Sequence, residues 1–201
     1  MSPTSLTDPS QHLFWLASRA LGVVAIVLLS GAVACGLALS GRMSGRPGGT
    51  ARLKTAHEAL TLTALGAIAG HGLVLLGDSY LAAGVGGIAV PFVLAFKQLW
   101  TGLGVIGGWL AAILGLSYYA RHWIGVSTWR KLHRWTLLAY VLAVAHTLGS
   151  GTDASSAWLL AILAAACLPA LGIGLKRVAE RSPANRPAPA RGLDRSGPSA
   201  A

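Results

Sequence analysis

The feature that most constrains this chain is a series of long apolar runs separated by short polar or basic segments. A bilayer core about 30 Å thick takes roughly 20 apolar residues per helix. Five runs reach that length, at residues 14–39, 51–76, 99–119, 129–148 and 156–175. With 54% hydrophobic residues, 11% charged residues and a mean hydropathy of +0.61, the chain has too few charges to clothe a soluble domain of 201 residues. The expected fold is an all-α integral membrane protein. Its transmembrane domain of about five helices covers 14–178, after an extramembrane segment at 1–13 and before a disordered cytoplasmic tail at 179–201.

The charges sit at the ends of the runs. A formal net charge of +10 raises the question of nucleic acid, but no basic helix face interleaved with aromatics supports that partner. The positive-inside rule accounts for the cations instead. Arg42, Arg46, Arg52 and Lys54 lie in one loop, Arg121, Arg130 and Lys131 in another, and the tail begins at Lys176. Five crossings place all of these on one side, while Asp78, Lys97 and Asp153 fall on the other. This predicts a multi-pass plasma-membrane protein with its N-terminus outside and its C-terminus in the cytoplasm. Residues 1–11 are polar and lack the cationic and short apolar regions of a cleaved signal, so the first run is expected to persist as a helix. Residues 80–96 are apolar but short, glycine-rich and interrupted by Pro91, which predicts an interfacial or re-entrant segment.

Histidines carry the chemical signal. His57 and His71 lie 14 residues apart in the second run, and His133 and His146 lie 13 apart in the fourth. Ionisable groups inside a membrane are costly and usually functional. At about 1.5 Å per residue each pair is separated by roughly 20 Å, too far for one metal ion and suited to two sites at different depths. The orientation makes the two helices parallel, so His57 matches His133 near the inner face and His71 matches His146 near the outer face. Each cross-helix pair can supply both axial ligands of a haem iron through neutral imidazole. Lys54, Arg130 and Arg134 are candidate propionate partners at the inner site, and Arg19 is a candidate at the outer site or its substrate. Helical phase is less accommodating. At about 100° per residue, 14 steps nearly return to the same face, whereas 13 steps leave His133 and His146 about 140° apart. The fourth helix must then cross, distort or present its two sites from different sides.

Simpler roles compete. A lone membrane histidine is commonly an interhelical hydrogen-bonder; depth-matched pairs are what favour ligation. His12 precedes the first run, and His122 sits in an Arg-His-Trp interfacial pattern. Arg19 can equally snorkel to the interface, and the tryptophans near run ends fit a membrane-interface belt. Cys35 and Cys167 stand alone in separate runs without a CxxC partner, and read as small buried core residues.

At these residues the chain resembles the ferric reductase-like transmembrane domain family. That family includes the membrane cores of NADPH oxidases and the haem subunit of bacterial methionine sulfoxide reductase systems. The resemblance spans roughly residues 14–153 and rests on the two histidine pairs, the WRKLHRW run around His133, and Arg19 in the first helix. It implies two b-type haems, ligated by His57 with His133 and by His71 with His146. It also implies electron flow from a cytoplasmic flavoprotein to an acceptor at the outer face. The chain departs from the oxidase branch in carrying no fused flavin or nicotinamide domain, so the donor is expected to be a separate protein. Two other classes stand beside this one: a non-redox transport or proton-relay protein using its histidines, with Glu58 nearly the only acidic residue in a run, and a passive membrane anchor for a partner enzyme.

Overall fold

The computed structural model describes residues 13–41, 48–151 and 154–181. The N-terminal segment, including His12, lies outside the described residues, as do Arg42, Arg46, Asp153 and the tail from residue 182. Among the described residues the chain is helical throughout, with no strand. The helices are α1 (Leu13–Ser40), α2 (Gly49–Val74), α3 (Gly84–Ala89), α4 (Gln98–Leu116), α5 (Arg121–Ile124), α6 (Val126–His133), α7 (Thr136–Ser150) and α8 (Ala157–Arg181). A tight 3₁₀ turn, Leu75–Gly77, extends α2 by one step.

Four of them, α1, α2 with its 3₁₀ extension, α4 and α8, are long and apolar enough to cross a bilayer. The fourth apolar run does not form one helix. It divides between α6 and α7, and α7 alone, at 15 residues, rises only about 22 Å. The break falls at Arg134–Trp135, where the amides of Trp135 and Leu138 bond back three residues instead of four, to Leu132 and Trp135. Thr136 Oγ1 donates to the His133 carbonyl at 2.7 Å, so a side chain satisfies a backbone group at the break. The segment at 80–96 contains only the short α3, which Trp109 Nε1 ties to α4 by donating to the Ala89 carbonyl at 2.8 Å. The last helix runs on through Arg181, three residues into the segment expected as tail.

Packing follows the chain. α1 and α2 form one antiparallel hairpin, α4 packs along α7, and α8 covers the other side of α1. The interhelical core is built from small side chains, Ala25, Ala32, Ala64, Ala139, Ala170 and Ser30, which let backbones approach closely. Ile26, Leu159 and Leu163 add one buried cluster of larger side chains, and many other large apolar side chains point outward: Leu73, Ile113 and Leu168 are each about 60% exposed. In water that surface would aggregate; against lipid it is the expected exterior. Both cysteines are free and half-buried, on helix faces that their neighbours partly cover, where buried core residues were expected.

Candidate functional site

The four histidines of the apolar runs meet in two pairs. The rings of His57 and His133 have centroids 6.1 Å apart and planes at 86°; those of His71 and His146 are also 6.1 Å apart, at 75°. Parallel α2 and α6–α7 therefore bring together the residues that the depth argument matched. Among the described residues α2 and α7 make no extensive backbone contact, and the imidazoles bridge the space between them.

The helices behind hold the rings. His57 Nδ1 lies 2.8 Å from the Ala32 carbonyl, His71 Nδ1 lies 2.7 Å from the Ser18 carbonyl, and His146 Nδ1 lies 2.9 Å from the Trp100 carbonyl. A carbonyl can only accept, so Nδ1 carries the proton in all three and Nε2 keeps its lone pair. Metal-binding histidines are commonly held in this way. One turn beyond each carbonyl stands a glycine. A Cβ on Gly36 would meet His57 Cε1 at 3.2 Å, one on Gly22 would meet His71 Nδ1 at 3.2 Å, and one on Gly104 would press still closer on His146. A carbonyl at one position and a glycine four residues later thus form a seat for an imidazole. The seat occurs twice in α1, at Ser18/Gly22 and Ala32/Gly36, 14 residues apart like the histidines they serve, and once in α4, at Trp100/Gly104.

His133 has no such seat. Its Nδ1 is buried without a hydrogen-bond partner among the described residues. The carbonyl facing it, that of Leu114, also accepts from Ser117 Oγ at 2.6 Å, and Tyr118 stands where the other seats have glycine. Its neighbour Trp129, with ring centroid 5.0 Å away, also buries an unpartnered Nε1. The break at Arg134–Trp135 answers the phase problem, because His133 closes α6 while His146 belongs to α7. No single helical phase connects them.

Hydroxyls complete the setting. Ser18 Oγ lies 2.9 Å from the His71 carbonyl and 3.0 Å from its Nδ1, Thr61 Oγ1 donates to the His57 carbonyl at 2.7 Å, and Ser150 Oγ lies 3.3 Å from His146 Nδ1. Ser18, Gly22, Ala32, Gly36 and Gly104 were not singled out from sequence, and Trp100 was read only as a belt tryptophan. The matching 14-residue spacing of Gly22 and Gly36 was the available signal.

Other candidates lie elsewhere. Arg19 stacks over Trp15 at 4.8 Å and Trp158 at 5.8 Å, so its neighbour Ser18, and not Arg19, faces His71. Lys54 and Arg121 converge on the ring of Tyr118, at 6.0 and 3.8 Å, which gathers cations of two loops at the His57–His133 end. Arg130 and Arg134 are exposed on either side of His133. Glu58 accepts from the Tyr119 hydroxyl at 2.9 Å. His122 stacks on Trp123, with centroids 4.4 Å apart.

The donor set can be tested against a haem. With imidazole–metal bonds of about 2 Å, two imidazoles sharing one metal would have ring centroids on the order of 6 Å apart. Both pairs meet that separation. Among the described residues no group of three or more His, Cys, Asp or Glu is placed to hold a bare ion. Two histidines per site would suit a metal carried in a macrocycle that supplies four nitrogens of its own.

No protein-family model, no curated protein and no solved structure matches this chain.

Proposed function

We propose that this chain is a di-haem, b-type membrane cytochrome of the ferric reductase-like kind. It carries electrons from a cytoplasmic donor, a separate flavoprotein, to an acceptor at the outer face of the plasma membrane. The observation that carries the reading is the pairing itself: two imidazole pairs, each 6.1 Å between centroids, with three of four Nδ1 atoms held by carbonyls. Haem, when bound, would supply one-electron chemistry.

The chain's own residues do the rest. His57 and His133 would hold one group, and His71 and His146 the other. Carbonyls of Ala32, Ser18 and Trp100 fix ring orientation and keep Nε2 unprotonated, which raises its basicity as a ligand. Lys54, Arg130 and Arg134 offer cations for propionates at the basic end, while Arg19 stacks on Trp15 and Trp158 near the other. The apolar exterior keeps bulk water away from both pairs. The basic end faces the cytoplasm under the positive-inside rule.

The test is a reduced-minus-oxidised absorbance spectrum of the purified protein with haem quantified per chain. A low-spin b-type spectrum at about two haems per chain is expected for two bis-histidine sites. Protein that folds and is active without haem would overturn the reading in favour of transport or proton relay.

A further inference from the structure

A groove of about 710 Å³ runs between α7 and α8, with α1 as its floor. Val33, Leu37, Val141, Val144, Leu171 and Leu175 are among the residues of its wall. Val141, Leu171 and Leu175 are each more than half exposed, so the groove opens sideways, toward where lipid would be. Its α7 wall, from Leu137 to Leu148, rises about 16 Å. That is close to half of a bilayer core about 30 Å thick, the depth of one leaflet.

One end of the groove is charged. Arg177 lines it there, and its Nη1 donates to Ser40 Oγ, the last residue of α1, at 2.6 Å. Guanidinium has five N–H donors and this bond uses one. Arg177 thus makes the mouth cationic while the interior is largely apolar. An apolar slot one leaflet deep with a fixed cation at its mouth matches an acyl chain joined to an anionic headgroup.

We infer that this groove is a binding site for one anionic phospholipid of the leaflet on the Arg177 side. The acyl chain lies along α7 and α8, and the phosphate pairs with Arg177. This rests on the groove and not on the redox reading.

The full chain is purified with phosphatidylglycerol and phosphatidylcholine supplied in equal amounts, then stripped stepwise and read by native mass spectrometry. One phosphatidylglycerol should stay on each chain in preference to phosphatidylcholine. Arg177→Gln should lower that preference about fivefold, the worth of one basic side chain at an anionic surface. Arg177→Lys should keep most of it, because the charge is retained. Val141→Trp, which fills the slot, should reduce retention of both lipids. Equal retention of the two lipids overturns the proposal, as does an unchanged preference in Arg177→Gln or unchanged retention in Val141→Trp. A dimer that forms with no lipid retained assigns the groove to a second copy, and overturns it as well.

Discussion

The two histidine pairs share one separation and differ in how they are held. At His71–His146 both rings have a backbone carbonyl on Nδ1, a glycine behind and a serine hydroxyl within reach. At His57–His133 only His57 is seated; His133 ends a short helix beside a break, with its Nδ1 buried and, among the described residues, without a partner. The lesson is that identical donor atoms can be rigidly oriented at one site and loosely oriented at another. A buried donor without a partner costs about 1–3 kcal/mol, which a small shift of α6 can relieve. The loosely held site is therefore the one expected to move first.

The largest effect should come from the histidines. His71→Ala or His146→Ala should lower haem from about two per chain to about one, measured by haem assay against protein concentration. If both haems leave together, the pairs are not independent and the comparison fails. In the unaltered protein, the haem of the His57–His133 pair should be lost first on mild heating. Loss of the other haem first would reverse the ranking.

Filling the seats comes next. Gly22→Val and Gly104→Val put carbon against a seated imidazole, an overpacking cost of about 1–3 kcal/mol. They should alter the spectrum of the His71–His146 site alone, while Gly36→Val alters only the other. A change at both sites from one substitution would show that the seats are coupled. Ser18→Ala should cost about 1 kcal/mol in thermal stability with haem content kept, because the Ser18 carbonyl still holds Nδ1. Smallest of all, Trp129→Phe removes an unpartnered N–H and should leave stability unchanged or raise it by up to about 1 kcal/mol. A clear loss would mean that Trp129 Nε1 has an acceptor.

Much of this was legible in the sequence, because the bilayer restricts the choices. Hydropathy alone located α1, α2, α4 and α8, and the short glycine- and proline-containing segment around α3 was recognisable by its length. The pairing of His57 with His133 and His71 with His146 followed from helix direction and rise. The break at Arg134–Trp135 did not follow, since phase arithmetic assumes one unbroken helix. Its cue, a threonine placed to bond the His133 carbonyl, is visible only once the turn exists. The seats were hidden for another reason: their three acceptors, on Ser18, Ala32 and Trp100, are backbone carbonyls that any residue carries.

The doubled seat in α1 makes that helix a ruler. Two marks 14 residues apart correspond to about 21 Å of rise and nearly four whole turns, so both face α2. The distance between the two pairs is then not freely adjustable. Adding one residue between Gly22 and Gly36 would rotate one mark by about 100° away from its histidine. Only changes near whole turns, about 4 or 7 residues made in α1 and α2 together, keep both marks in line. The spacing between sites in such a chain comes in steps.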